Sequence, residues 1–497
     1  MGKYSHGNYD GPNGIHGVPL WRLAGFVLNN TSSNCYLLTM GYITFFLNGP
    51  VGASVFLAGS FAMMMRIFDG ITDPFVAMIV DKTNGKFGKN RPFMLIGNLT
   101  MLVSTLLMFR LTPVLPQVVR VPWFIFINII YYLGYTCQCI VTKSGQTCLT
   151  NDPSQRPLFA LFDGILNMLL FTGLGIWISS VLVPKYGAMS DARVFQEMNL
   201  YLAPLSLVLM LAAMFSIAPK DNSKYFGTGQ AQKVTFKDYV DVLTHNRAIQ
   251  MLVLSASTDK LGMQAKTSVA TVILYGIVAG NFALSGLVTG FTTIPNFLFL
   301  FFGVGIIATR LGQKRAMLVG SLGGCIGNLL MMLLWYVGDP TTLSLPGDGV
   351  FTGFNLFTIL FLALMIVSGG LSNISANIVI PMTADCADYE TYRSGKYLPG
   401  LMGSLFSFVD KMVSSFAPLI ASLLLMAIGF TETMPDVSTP MTPQLKFVGI
   451  FLSFGLLAIC SGVNLIAMKF YPLNREKMAE IQDEIAAIKA KAMTAEA

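Results

Sequence analysis

Ten ionisable residues lie in stretches of sequence that are otherwise apolar: Arg66, Lys143, Lys260, Lys266 and Lys411 against Asp69, Asp73, Asp163, Asp259 and Asp410. A charge in mid-bilayer costs a few kcal/mol or more, so such residues face a protein interior or a wet cavity and find partners there. Arg66, Asp69 and Asp73 form the densest group. Their i, i+3, i+7 spacing puts all three on one helix face. Two carboxylates one turn apart repel unless a cation or a proton lies between them, and oxygen ligands suit a hard ion. The chemistry is that of a cation site, with Na⁺ at Asp69 and Asp73 or a proton on one of them. An ion pair from Arg66 to one carboxylate is the competing structural explanation. Pro74, next to Asp73, removes a backbone donor and frees carbonyls for coordination.

The remaining charges suggest a second kind of chemistry. Thr136, Lys143 and Thr147 share one helix face. Asp259 and Lys266 share another, with Lys260 about 100° away. Asp410 and Lys411 are adjacent and point to different faces. The expected pairings are Lys143 with Asp163 and Asp259 with Lys266. Lys260 is then left over as counter-charge for an anionic substrate, since a lysine suits a carboxylate, sulfonate or phosphate. Lysines that only hold internal salt bridges around a neutral sugar are the alternative.

The elements that must position these residues follow from composition. The chain has 497 residues, 54% apolar and only 11% charged, and its mean hydropathy is +0.63. A soluble globule, a disordered chain and a disulfide scaffold are excluded. Twelve apolar stretches can be read, at about 20–47, 51–80, 93–110, 121–148, 158–183, 198–218, 248–278, 282–308, 316–337, 353–383, 401–430 and 445–470. Each is long enough for a transmembrane helix. Placing both termini in the cytoplasm puts most of the 32 Lys and Arg on the inner side, as the positive-inside rule requires. The net charge of +7 is therefore a topology signal, and no nucleic-acid partner is expected. Residues 1–19 form a polar tail with no apolar leader, so the first span itself directs insertion.

Residues 219–247 form the longest cytoplasmic loop. They separate an N-terminal six-helix bundle, 20–218, from a C-terminal one, 248–470, with a cytoplasmic tail over 471–497. An internal echo supports duplication: Gly88-Lys89-Asn90-Arg91 and Gly312-Gln313-Lys314-Arg315 occupy the same place in each half. Ile481, Ile485 and Ile488 predict a polar helix in the tail. The charged loops 81–91 (Asp81, Arg91) and 384–396 (Asp385, Asp388, Arg393) are expected to gate the inner side, acids of one bundle meeting bases of the other. No nucleophile–base–His constellation, zinc spacing or phosphate loop is present, so neither an enzyme nor an ATP-driven pump is expected, and no cofactor beyond a coupling cation.

With these residues in view, the chain resembles the glycoside–pentoside–hexuronide:cation symporters, a major-facilitator group that includes the melibiose permease. Arg66-Ile67-Phe68-Asp69-Gly70-Ile71-Thr72-Asp73-Pro74, followed by Gly88-Lys89-Asn90-Arg91-Pro92, is similar to the group's second-helix signature. Met382 to Tyr389 is similar to its tenth-helix exit motif, and Lys411 with Ser414, Ser415 and Phe416 to its eleventh-helix lysine segment. The resemblance implies an all-α fold of twelve helices in two bundles. It also implies alternating access and sugar uptake driven by Na⁺, H⁺ or Li⁺ in the plasma membrane. It carries the cation role onto Asp69, Asp73, Thr72 and Thr136, with Lys411 nearby, and gating onto Asp385 and Asp388.

The departures concern the sugar. The permease's hydroxyl-binding aspartates in the first and fourth helices fall on Ser33, beside Asn34, and on Cys139. Its fourth-helix tryptophan falls on Lys143, and its fifth-helix basic residue on Gly164, beside Asp163. The galactoside site is therefore not retained. Ser33, Asn34, Lys143, Asp163, Asp259, Lys260 and Lys266 are the substrate-facing candidates, for a glycoside or an acidic, hexuronide-like sugar taken up by a monomer. A carrier of a non-sugar organic anion or lipid-like molecule, or a non-transporting sensor, are the alternatives.

Overall fold

Residues 9–10, 16–83, 85–150, 155–222, 225, 236–267, 269–303, 312–394, 399–481 and 484 are described by the computed structural model. The chain divides into two compact units. Unit 1 comprises 1–230 together with 429–438, and unit 2 comprises 231–428 and 439–497. The expected boundary falls close to the observed one, but the short piece 429–438 belongs to the unit formed by the first half.

Unit 1 is built on α1 (Leu20–Gly41), α2 (Val55–Lys82), α3 (Arg91–Leu106), α4 (Gln117–Leu149), α5 (Arg156–Trp177) and α6 (Ala192–Ile217). Start signals are local. Ser54 accepts the Leu57 amide at the head of α2, Asp191 accepts the Arg193 amide before α6, and Pro92 sits in the first turn of α3. These caps satisfy donors that helix ends otherwise leave open. α2 runs unbroken through Pro74. α3 and α4 pack closely because both present glycine: a Cβ at Gly97 would lie 2.8 Å from the Gly134 carbonyl, and the converse holds. Small residues supply such approach where lipid removes the hydrophobic drive between helices. At one end, Phe46, Phe109, Phe124 and Phe195 form a fully buried aromatic cluster.

Unit 2 contains α7 (Arg247–Lys266), α8 (Ala283–Gly303), α9 (Gln313–Val337), α10 (Leu356–Ser394), α11 (Pro399–Ser414, continuing as Ala417–Ala427) and α12 (Leu456–Phe470). α7 bends by 48° into Val269–Val278. α9 meets α10 through Gly320 and Gly327, where added Cβ atoms would strike Leu371 and Ser368. Trp335 centres an aromatic cluster with Tyr275, Phe357, Phe361 and Phe454. The expected central loop carries a helix of its own, Phe236–His245. The expected tail helix is described only as far as Ile481 and at Glu484; Ile485 and Ile488 lie outside the described residues.

All twelve apolar stretches contain helix. Among the described residues nine helices are long and apolar enough to cross a membrane, and the bent pair beginning with α7 makes a tenth. α1 does not qualify because its middle reads Asn29-Asn30-Thr31-Ser32-Ser33-Asn34. Asn29, Thr31, Ser32, Ser33 and Asn34 of that run are buried inside unit 1. α8 is described only to Gly303.

Candidate functional site

The cation residues of α2 and α4 come together in unit 1. Asp69 is 8% exposed and Thr136 fully buried. The Thr136 hydroxyl donates to Asp69 Oδ1 at 3.1 Å. Thr72 Oγ1 lies 3.2 Å from Thr136 Oγ1 and donates to the Asp69 carbonyl at 3.0 Å. One helix turn on, Asp73 is half-buried on the same face. Arg66 is half-buried on the same helix, and no ion pair from it is found among the described residues. A carboxylate, two hydroxyls and a second carboxylate within a turn give an all-oxygen donor set, which fits a hard cation. Lys411 is half-buried in unit 2, and its backbone carbonyl accepts the Ser415 amide.

The substrate-facing candidates are rearranged. Ser33 is 1% exposed and its hydroxyl is spent on the Asn30 and Asn29 carbonyls of its own helix. A short hydroxyl in a helix has such carbonyls within reach, and Ser33 faces packing rather than a cavity. Asn34 donates to Asn167 Oδ1 at 2.8 Å, and Asn30, one turn earlier, donates to Asp163 Oδ1 at 2.7 Å. The expected Lys143–Asp163 pair is not formed. Asp163 is served by an amide, while Lys143 is exposed and has no ion-pair partner among the described residues. The expected Asp259–Lys266 pair is not formed either. The two stand two turns apart, and Asp259 Oδ2 accepts the Asn464 amide at 2.7 Å. Lys266 Nζ lies 3.9 Å from the Met365 sulfur and 5.5 Å from the Phe454 ring centre. Lys260 is not left over: it pairs with Asp410, because the neighbouring α11 offers a carboxylate that is nearly buried.

Three of the gating residues, Arg91, Arg393 and Asp385, have partners inside their own units. Arg91 pairs with Asp221 at 3.4 Å. The same carboxylate accepts the backbone amides of Lys89, Asn90 and Arg91 and the Asn90 side-chain amide. Gly88 makes this possible: its φ is +86°, and a Cβ there would lie 2.3 Å from Asp221 Oδ2. Arg393 pairs with Glu390 at 2.8 Å and Asp241 at 3.2 Å. Asp385 is hydrogen-bonded to Gln313, and Asp388 is half-buried. Arg91 and Arg393 are thus each held by acids of their own unit. Asp81 falls at the end of α2 with its side chain outside the described ones, and Lys396 lies outside the described residues.

Sequence reasoning missed the uncharged partners. Asn30, Asn167 and Asn464 each meet a carboxylate or amide across a helix pair, and Asn464 is fully buried. The signal was there: an amide in an apolar helix is expensive without a partner.

Residues 32–475 match the family model described as MFS/sugar transport protein. The chain is 25% identical over 488 residues to a glucuronide carrier protein homolog of Escherichia coli (strain K12), covering 94% of this chain and 95% of that one. It is 23% identical to the isoprimeverose transporter of Lactiplantibacillus pentosus, covering 92% and 90%. Among solved structures, a bacterial homolog of the human lysosomal transporter Spinster superposes with a TM-score of 0.60 at 10% identity, over 91% of this chain and 96% of that one. At that identity the likeness concerns the fold alone.

Proposed function

The chain belongs to the MFS/sugar transport protein family, and from that premise we propose that it is a cation-coupled symporter of a glycoside, with an acidic sugar as the favoured class. Family membership makes it a multi-pass membrane transporter rather than an enzyme. The observation that carries the coupling is the Asp69–Thr136–Thr72 cluster, with Asp73 one turn away. A membrane-depth carboxylate that receives a hydroxyl and has a second carboxylate one turn away suits a monovalent cation or a proton. Cation loading there is the step that twelve helices working by alternating access would link to sugar movement. Preference for an acidic sugar is supported by Lys266 and Lys143, cations with no carboxylate partner among the described residues. It is also supported by similarity to a glucuronide carrier homolog.

The test is uptake into vesicles of a neutral glycoside and of the corresponding glucuronide, under imposed Na⁺, Li⁺ or proton gradients. Asp69→Asn and Asp73→Asn abolish accumulation driven by the coupling ion while leaving substrate-protectable binding. Lys266→Gln lowers glucuronide uptake at least tenfold more than glycoside uptake, the loss of about one charge-assisted contact. Full accumulation in both aspartate variants removes the cation assignment; equal losses for the two sugars remove the acidic-sugar reading.

A further inference from the structure

Unit 2 contains a carboxylate that the cation cluster of unit 1 does not use. Asp259 stands in the middle of α7, half-buried. Its partner is an amide: Asn464 of α12, fully buried, donates Nδ2 to Asp259 Oδ2 at 2.7 Å. Behind that amide, the buried Ser255 hydroxyl, one turn before Asp259 on α7, donates to Asn464 Oδ1. An ionised carboxylate only accepts hydrogen bonds, so the Asn464 NH₂ faces it. Cys460, one turn before Asn464 on α12, flanks the pair.

Among the described residues no charged side chain pairs with Asp259. On its own helix, Lys260 points away and is engaged by Asp410 of α11, and Lys266 is turned to Met365 and Phe454. Lys411 of α11 is half-buried, and no bond from it to Asp259 is found among the described residues. On α12, Lys469 lies at the C-terminal end. The charged groups of α10, namely Asp385, Asp388, Glu390 and Arg393, gather at its C-terminal end. That end meets the start of α7, where Asn246 donates to Glu390 and Arg393 reaches Asp241, beside His245. The helical segments 269–271, 417–427 and 451–455 bring no ionisable side chain.

We propose that Asp259 is a second ion-accepting site, that its ligand is a proton, and that the Ser255–Asn464 relay sets the pH at which it loads. A carboxylate at this depth with one neutral donor and no counter-charge binds a proton or draws in a cation. A metal ion would need the amide oxygen of Asn464 turned toward it, and that oxygen is taken by Ser255. The NH₂ group that faces Asp259 offers a metal ion no oxygen ligand, whereas a proton needs only the carboxylate itself. The donor set thus differs in kind from the hydroxyl-and-carboxylate cluster at Asp69. The inference does not depend on the identity of the sugar or of the ion at Asp69.

The experiment is an infrared titration of the purified full-length protein in lipid vesicles over roughly pH 4–9, without substrate, in an Asp69→Asn/Asp73→Asn background that removes the first cluster. A protonated-carboxyl stretching band appears as pH falls, and Asp259→Asn removes it. Asn464→Ala, which deletes the donor that favours the ionised form, moves its midpoint to higher pH. Asp259→Glu, a second variant, restores a band at an altered position if the asparagine protein folds poorly. A titration curve identical with and without Asp259, or a midpoint unmoved by Asn464→Ala, overturns the proposal. Failure of the Asp69 reading would show instead as unchanged cation-driven uptake in Asp69→Asn and Asp73→Asn, with this band unaffected.

Discussion

The two basic turns that echo each other in sequence are held in different ways. In unit 1 the turn 88–91 closes around Asp221, which follows α6 and is 1% exposed. One carboxylate there accepts three consecutive backbone amides, a side-chain amide and a guanidinium. In unit 2 the turn 312–315 meets the segment that follows α12, so the topology repeats. The contacts are lighter: Lys314 Nζ donates to the Tyr471 carbonyl at 2.6 Å, and Gly312 abuts the Arg475 side chain. The same chain path thus gives a buried anion on a helix N-terminus in one half and a lone lysine–carbonyl bond in the other. Repeated topology preserves where segments meet; it does not preserve the energy of the meeting.

The largest expected effect breaks this comparison directly. Asp221→Ala leaves several donors of the 88–91 turn buried and unpaired, a loss of about 3–5 kcal/mol. Lys314→Met removes one half-exposed bond, about 1 kcal/mol. Thermal unfolding of the purified protein in one detergent checks the ranking, and equal shifts in midpoint would erase the difference between the halves.

A smaller effect sharpens it at membrane depth. Unit 1 supports Asp69 with hydroxyls, whereas unit 2 supports Asp410 with Lys260. Thr136→Val weakens apparent cation affinity about tenfold, equivalent to one hydrogen bond to a charged group. A double-mutant cycle of Lys260→Met with Asp410→Leu gives a coupling of about 1 kcal/mol in stability, since the Lys260 side chain is 47% exposed and solvent screens the pair. Cation titration by tryptophan fluorescence reads the first and unfolding the second. A stability loss from Thr136→Val larger than the Lys260–Asp410 coupling would reverse the roles.

The smallest effect concerns the loop between α9 and α10, which caps itself. Burial pushes the Asp348 carboxyl up, but hydrogen bonds from the Ser344 hydroxyl and the Val350 and Leu345 amides outweigh it and hold the group below its ordinary value. A depressed folded value means that the stabilisation is complete above the unfolded aspartate value of about 3.9. It disappears as pH falls through the folded one. Asp348→Asn therefore costs up to about 1 kcal/mol at neutral pH, and the gap from the parent protein closes in acid. Amide hydrogen exchange across 344–350 at two pH values measures it; a gap that widens in acid would refute the sign.

Helices and the two-unit division were legible because a bilayer demands long apolar runs. The clustering of Thr72 and Thr136 at Asp69 was legible because Asp69 and Asp73 have one helix and one face in common. The pairing of charges was not. Spacing along α7 placed Asp259 and Lys266 on one stripe, but Lys260 takes the partner that a neighbouring helix supplies, and the sequence does not say that Asp410 comes within its reach. Amides were overlooked for a related reason. Asn464 looks unremarkable in a sequence ordered by charge, although in an apolar helix its NH₂ serves a carboxylate almost as well as a cation would. Within α1, the polar run 29–34 lowers hydropathy because its side chains bind α4 and α5, and its Ser32 carbonyl accepts the Ser206 hydroxyl of α6.

The segment 429–438 has a consequence for how the chain is made. It links the second part of α11 to the helix Pro443–Ile450, yet its bonds go to unit 1. Asn48 donates to the Glu432 carbonyl at 2.6 Å and accepts the Met434 amide at 2.7 Å. The Val55 amide donates to the Thr431 carbonyl. Asp436 accepts the Met189 and Ser190 amides at 2.9 and 2.7 Å, beside Gly49, where a Cβ would lie 2.5 Å from the Ser190 carbonyl. A ribosome finishes α6 long before it reaches residue 429. Until then these donors must be served by water or by an insertion chaperone, and the first half leaves the translocon incomplete. A gene split at the central loop would inherit the same debt, because the fragment ending near residue 230 lacks the ten residues that complete its own edge.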